Sequence, residues 1–128
     1  MCDQKTQRAL LPSAARTATT ACAQQTDRTQ QVVRLYLNVT VASGTGGLQP
    51  QIRGYDRISG GAVALTTGGA AVTATGLYVY EMTYTPNAAA GNVKESVGRF
   101  LPVLWDVNVV HGDGSSYTYS LSCEVGPA

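Results

Sequence analysis

The sequence predicts an all-β fold, an antiparallel β-sandwich or jelly-roll-like domain with an extended N-terminal arm. Three observations favour this class. Apolar residues recur at every second position in several segments, which is typical of strands with one buried face. Glycine-containing turns separate these segments at short intervals. No segment repeats its apolar residues with the helical period of 3.6.

Residues 1–31 are predicted to form the arm, and residues 32–128 the sandwich domain. Polar residues dominate the arm, and Leu10 and Leu11 are its one strong apolar anchor. This composition fits either a disordered tail or an arm that becomes ordered on a partner, and both interpretations stay open. Within the arm, residues 16–22 are expected to contribute one edge strand.

The middle of the chain predicts a run of strands. Residues 32–42 alternate most clearly between apolar and polar side chains. Pro50 in the following strand predicts an edge position or a bulge, because proline cannot donate to a sheet ladder. Gly68-Gly69 predicts a hairpin turn between two short strands. The predicted strands cover residues 32–42, 48–56, 62–67, 70–75 and 77–85.

An aromatic stripe marks the last of these strands. Tyr78, Tyr80 and Tyr84 share one face with Met82. Such a stripe suits either the core or a contact surface, since tyrosine and methionine are enriched at interfaces. We interpret it as core, because aromatic side chains dominate core burial.

The last quarter of the chain, residues 99–125, is predicted to be a hairpin of two long strands around an Asp113-Gly114 turn. The only tryptophan lies on the apolar face of this hairpin. Other strands must cover that face, because an isolated hairpin is only marginally stable. The inward positions of the predicted strands give the expected core: Leu35, Leu37, Val39, Tyr80, Trp105, Val107, Val109, Tyr119 and Leu121.

Residues 86–98 interrupt the strand pattern. They are predicted to form a flexible loop, with one helical turn at residues 93–97. Long loops on a β scaffold often carry binding contacts. This loop is therefore a candidate contact segment.

Composition limits the function classes. The chain has 128 residues, enough for one domain with its own core. Charged residues make up 13% and the net charge is +1, which argues against nucleic acid or an anionic membrane as partner. No apolar run approaches the roughly 20 residues of a membrane-spanning helix.

The cysteines predict no disulfide framework, because their number is odd. Cys123 falls on an inward strand position and is expected to be a small core residue. Cys2 and Cys22 lie in the polar arm and are expected to be free thiols. A reducing compartment during synthesis fits this set.

The sequence offers few reactive groups. His111 is the only histidine, and with Asp113 it lacks the third ligand that a catalytic zinc requires. A thiol nucleophile beside His111 is not expected, because Cys123 lies far along the predicted hairpin. Asp106 and Glu124 fall on the polar faces of its strands, where they suit an acid–base pair or, more simply, a solvated surface. No catalytic, metal or cofactor site is predicted.

Several short motifs occur in a fixed order along the chain. They are Arg16-Thr-Ala-Thr19, Val39-Thr40, the Gly44-Thr45 turn, and Pro102-x-x-Trp105 leading to His111-Gly-Asp113. This order resembles small β-rich head decoration, or cement, proteins of tailed bacteriophages and prophages. The resemblance implies a virion protein on the outer capsid surface, made in the cytoplasm of the bacterial host. It implies binding to the major capsid protein, clamping of its neighbouring copies, and association of the chain with itself as a homotrimer.

Two segments are expected to carry the capsid or subunit contacts. Deletion of residues 1–20 is expected to weaken capsid binding and to leave the sandwich folded. The arm is expected to contribute Leu10, Leu11, Arg16, Thr17 and Thr19. The loop is expected to contribute Pro86, Asn87, Asn92, Lys94 and Glu95.

Other functions remain open. Another virion component, such as a tail protein or a head-fibre base, would use the same scaffold at few copies per particle. A carbohydrate-binding β-sandwich module would need a flat platform of exposed aromatic rings, and the inward position predicted for Trp105 argues against one. An enzyme is the least favoured class.

Overall fold

A computed structural model describes residues 6–28 and 32–126, and these residues form two sheets that pack face to face as a β-sandwich. The strands are β1 (Thr6–Arg16), β2 (Thr20–Ala21), β3 (Gln25–Thr26), β4 (Val32–Ala42), β5 (Leu48–Tyr55), β6 (Ala62–Ala64), β7 (Gly76–Met82), β8 (Val93–Val97), β9 (Leu104–His111) and β10 (Tyr117–Gly126).

Each sheet has five strands among the described residues. The first sheet has the order β1-β10-β4-β7-β8, and the second has the order β2-β9-β5-β6, with β3 also paired to β9. All strand pairs are antiparallel except β7–β8. The prediction of an all-β, largely antiparallel sandwich is confirmed.

The core lies between the two sheets. All nine of the predicted core residues are buried, and Trp105 is fully so. Tyr78, Tyr80 and Met82 also face the core, whereas Tyr84 lies beyond the end of β7 and is 42% exposed. The strand β4 begins and ends where the alternation places it.

The predicted C-terminal hairpin is wrong. The strand β9 pairs with β5, β2 and β3, whereas β10 pairs with β4 and β1 in the other sheet. Both strands turn a full apolar face inward, so they face each other across the core instead of lying side by side. The turn at residues 112–116 is therefore a crossing between the sheets.

The described part of the predicted arm belongs to the sandwich. The strand β1 pairs with β10 along its whole length, from Thr6 opposite Val125 to Arg16 opposite Tyr117, with two register shifts. The short strands β2 and β3 then pair with β9 in the second sheet. The strands within residues 6–26 thus form the edges of both sheets on the same side of the sandwich. Deletion of residues 1–20, which was expected to leave the sandwich folded, would remove β1 and most of β2, so β10 would lose a neighbouring strand.

Two further predictions of local structure are wrong. Residues 93–97 form the strand β8 and not a helical turn, because they find a parallel partner in β7. Residues 70–75 form no strand, and Gly68-Gly69 is not a hairpin turn. Only β6 pairs with β5, and Val72 makes a single bridge to Leu48.

The sandwich has two distinct ends. Leu48 at the start of β5 pairs with His111 at the end of β9, which brings the turns 43–47 and 112–116 together at one end. We call this the turn end. Gly54 pairs with Trp105 at the other extreme, which we call the apolar end. The connections 56–61 and 98–103 lie there.

Candidate functional site

His111 is enclosed by aromatic side chains at the turn end. Its Nε2 lies 2.9 Å from the Tyr119 hydroxyl oxygen, and its ring packs edge-on against Tyr117 at 5.6 Å between centroids. Burial, helped by the nearby Arg16, lowers the pKa of His111. Its backbone N–H donates to the Thr19 hydroxyl at 3.0 Å. This surrounding fits a neutral histidine with a packing role.

Asp113 connects the two turns of the turn end. Its Oδ2 accepts hydrogen bonds from the backbone N–H groups of Gly46 at 2.8 Å and Thr45 at 3.2 Å. Its Oδ1 accepts from the Ser115 N–H at 3.1 Å and the Tyr117 hydroxyl at 3.2 Å. These bonds, led by that from Gly46, lower the pKa of Asp113. Since both oxygens are already engaged, the carboxylate stabilises the sheet crossing.

Asp106 and Glu124 do not form an acid–base pair, because β9 and β10 lie in different sheets. Asp106 is buried and accepts hydrogen bonds from Arg53 Nε at 2.8 Å and from the Tyr55 hydroxyl at 2.7 Å. Glu124 accepts a hydrogen bond from the Tyr36 hydroxyl at 2.5 Å. The expectation of a solvated Asp106 is wrong, because a bidentate arginine partner offsets its burial.

The described cysteines are buried and lie away from His111. Cys123 is in the core, opposite Arg8 of β1, and burial raises the pKa of its thiol to about 11. Cys22 is also buried; burial raises the pKa of its thiol, which accepts the Val107 N–H at 3.3 Å. Cys2 lies outside the described residues. Over residues 6–28 and 32–126, no cluster of histidine, cysteine and carboxylate side chains could hold a metal ion.

Glu95, a predicted loop contact, has a structural position instead. Its carboxylate is buried and accepts hydrogen bonds from the Thr67 N–H at 3.1 Å, the Thr67 hydroxyl at 2.8 Å and the Gly68 N–H at 3.0 Å. Gly68 and Gly69 have positive φ values of 86° and 64°. Glu95 of the first sheet thereby fixes the glycine turn that follows β6 in the second.

The other predicted loop contacts lie mostly at the surface. Pro86, Asn87 and Asn92 are exposed. Lys94 is half-buried, with its ammonium 5.4 Å from the centre of the Tyr78 ring. Three of the five predicted loop residues are thus accessible to another chain.

The predicted arm contacts are divided between core and surface. Leu11 is buried and Leu10 packs against the core, so both stabilise the sandwich. The guanidinium of Arg16 donates to the carbonyl oxygens of Tyr119 at 2.7 Å and Pro12 at 2.6 Å, and it lies over the Tyr119 ring. Thr17 and Thr19 are exposed.

Exposed apolar side chains gather at the apolar end. Phe100 is 66% exposed and packs edge-on against Tyr84, with ring centroids 4.8 Å apart and planes at 72°. Together with Gly98 and Arg99 they line a depression of about 160 Å³. Thr83 N–H donates to the Val97 carbonyl oxygen at 2.9 Å, which holds the two segments together. We call Tyr84, Gly98, Arg99 and Phe100 the aromatic patch.

A second apolar surface is formed by β6 and the turn before it. Ala62, Val63 and Ala64 are all exposed, Val63 to 65%. Ile58 in the turn is 95% exposed. We call Ile58 and residues 62–64 the β6 edge. Large exposed apolar side chains clustered in this way often mark interaction sites.

Sequence reasoning missed both surfaces, although a signal was present. Ile58 lies in a turn between Arg57 and Ser59, and Phe100 directly follows Arg99. An apolar residue in a turn has no inward strand position to occupy. Such residues are candidates for exposed contacts.

Comparisons with known protein families, curated proteins and solved structures found no match. The part of the chain that the structure describes holds no helix that could span a membrane.

Proposed function

We propose that this chain is a non-enzymatic structural protein of a phage virion, a head decoration protein that binds the outer capsid surface and clamps major capsid proteins. The observation that carries the proposal is a contrast in the described residues. The buried carboxylates are engaged in contacts within the scaffold, whereas four of the six large apolar side chains that are exposed, those of Ile58, Val63, Tyr84 and Phe100, lie at one end. The resemblance of the sequence to decoration proteins gives the partner.

The engaged carboxylates argue for a structural role. Asp27 is held by Arg8 and Trp105, Asp106 by Arg53 and Tyr55, and Glu95 by the turn at residues 67–68. A general acid or base must be free to exchange a proton with a substrate. A rigid domain stabilised by such contacts presents fixed surfaces to a partner, which limits the entropy lost on binding.

The aromatic patch is the proposed capsid contact. Tyr84 and Phe100 combine apolar area with Arg99, and aromatic residues and arginine are enriched at the centres of interfaces. The exposed Pro86 and Asn87 adjoin this patch, because a Cβ at Gly98 would lie 3.3 Å from the Pro86 ring. The planes of the two aromatic rings differ by 72°, so they do not form the flat platform of a sugar-binding module.

The finer fold assignment is part of the same proposal. A jelly-roll-like winding is supported by the six changes of sheet along the described strands, among them those at residues 43–47 and 112–116, since successive strands of such folds change sheet. In this proposal residues 1–31 act as an arm that is anchored by β1 and offers Thr17 and Thr19 at the turn end. The resemblance implies a homotrimer, which would place three copies of this chain together on the outer capsid surface.

The test is binding to phage heads. Purified chain is mixed with heads that lack it, and bound protein is measured after sedimentation. The Phe100→Ser variant is expected to lose most of its occupancy, because it removes the exposed ring at the centre of the patch. Leu77→Ser is the matched control, since Leu77 is 49% exposed on β7, away from the patch. Failure of the wild-type chain to bind heads would contradict the proposal.

A further inference from the structure

The outer edge of β6 is open. Within residues 6–28 and 32–126, β6 pairs with β5 alone, through Arg53, Gly54 and Tyr55. Unpaired backbone groups on an edge strand are a template for another strand, and proteins usually block them with charges, proline or bulges. No charged side chain occurs between Arg57 and Glu81, so β6 carries no such block.

The other edges are blocked in these ways. The strand β1 contains Pro12 and two register shifts, and β2 and β3 have two residues each. The strand β8 carries Lys94. The strand β6 is also short, with three residues, but it is the edge strand among the described residues that carries only apolar side chains.

Val63 gives a second, independent reason. It lies opposite Gly54, and directly paired residues of an antiparallel sheet point to the same side. Gly54 is buried, so Val63 is on the core side of its sheet. It is nevertheless 65% exposed, because the core does not extend over it. An apolar side chain on the inner side of a sheet is stabilised when another strand covers it.

We infer that β6 pairs antiparallel with β6 of a second copy of this chain about a twofold axis at Val63. The sequence Ala62-Val63-Ala64 reads the same in both directions, as a twofold contact between identical strands requires. Val63 then meets Val63 of the second copy, and Ala62 meets Ala64. The pairing joins the two second sheets into one continuous sheet.

The chemistry of the edge favours a second copy over an unrelated protein. A twofold contact brings like charges together wherever a charge lies near the axis, and none is present from Ile58 to Tyr80. The exposed Ile58 adds apolar area beside the axis. Three paired residues give a small contact, so association is expected to be weak and to depend on concentration.

The first test compares solution masses by light scattering over a range of concentrations. Twofold pairing predicts that Val63→Lys halves the mass of the wild-type assembly, whether this is a dimer or a pair of trimers. It should raise the dissociation constant by about tenfold or more, since two lysines would meet at the axis. Leu77→Lys, at a position in the other sheet that is 49% exposed, should leave the mass unchanged. Circular dichroism and thermal melting verify that both variants fold.

The second test uses the close approach of the two copies of residue 63 at the twofold axis. In a Cys2→Ser background, Val63→Cys places two thiols opposite each other, at the spacing of a cross-strand pair. Mild oxidation by a copper(II)–phenanthroline complex, two equivalents of which each take up one electron as the two thiols lose their protons, should then link two chains through one disulfide. Leu77→Cys should not form this product.

Either of two results overturns the inference: a wild-type mass that Val63→Lys does not change, or equal cross-linking of the two cysteine variants. The inference does not depend on capsid binding. A chain that binds heads but does not pair through β6 leaves the proposed function standing, and a chain that pairs but does not bind heads leaves the pairing standing.

Discussion

The indole N–H of Trp105 donates a hydrogen bond of 2.8 Å to the carboxylate of Asp27, a residue of the N-terminal segment. Asp27 also forms an ion pair with Arg8 of β1. Since Trp105 lies in the second sheet and Arg8 in the first, this buried carboxylate joins the two sheets next to the core.

Asp27→Asn is expected to destabilise the fold. The amide keeps the size of the side chain but loses the charge-assisted bond from Arg8, which costs about 1.5–3 kcal/mol. Unfolding in urea measures the change. Glu81→Gln is the control, because it breaks the ion pair with the largely exposed Arg34 and should cost at most about 1 kcal/mol. Equal losses in the two variants would contradict the structural role of Asp27.

The contribution of Asp27 should depend on pH. The hydrogen bond from Arg8, supported by that from Trp105, lowers the pKa of Asp27 in the folded protein, whereas the unfolded value is about 3.9. As the pH falls, the unfolded chain therefore takes up the proton first, which favours unfolding.

The difference in unfolding free energy between wild type and Asp27→Asn should be constant above about pH 5 and should shrink below about pH 4. Urea titrations at several pH values measure it. A difference that stays constant to about pH 2 would show that the ion pair does not control the acid stability at this site.

Gly112→Ala should destabilise the turn end. A Cβ at Gly112 would lie 2.3 Å from the carbonyl oxygen of Gly46, so the two sheet crossings would have to separate. Overpacking of this kind costs about 1–3 kcal/mol. Gly114→Ala is the matched control, since a Cβ there meets nothing within 4 Å and its effect should stay within about 0.5 kcal/mol. Thermal melting of both variants measures the difference in stability. Equal melting temperatures would argue against the close approach of Gly112 to Gly46.

The buried thiols should be protected from modification. In a Cys2→Ser variant, Cys22 and Cys123 are the remaining cysteines; both are buried, and burial raises the pKa of both thiols. A disulfide reagent should label the folded protein slowly and release two equivalents on unfolding, because only an exposed thiolate reacts. Rapid labelling of the folded protein would place at least one thiol at the surface.

The sequence predicted the strands better than their partners. The alternation at residues 32–42 predicted the bounds of β4 and its buried face from Val33 to Val39, because a period of two depends on the segment alone. Val41, on the same predicted face, is 51% exposed. Strand pairing depends on the rest of the chain. The inward faces of β9 and β10 suited a hairpin as well as two facing sheets, and Asp113 favours the second by bonding to Gly46 across the turns.

Buried polar groups were the other feature that could not be predicted from the sequence. Asp106 was expected at a solvated surface and Glu95 in a contact loop, and Asp27 was not singled out, since a sequence does not show the arginine or turn N–H groups that meet these carboxylates in the fold. Cys22 was likewise placed in a polar arm, although the described part of that arm packs into both sheets. Ile58 lay in a predicted turn and Phe100 at the start of the predicted hairpin, and the exposure of both follows from connections that only the three-dimensional arrangement reveals.

The most direct test of the proposed function is the amount of this chain in purified virions. Quantitative mass spectrometry compares its molar amount with that of the major capsid protein, in intact particles and in tail-free heads. A decoration protein should be present in both at an amount comparable to the major capsid protein. Presence at only a few copies per particle, or loss of the chain with the tails, would contradict a decoration role and favour a fibre-base or tail component.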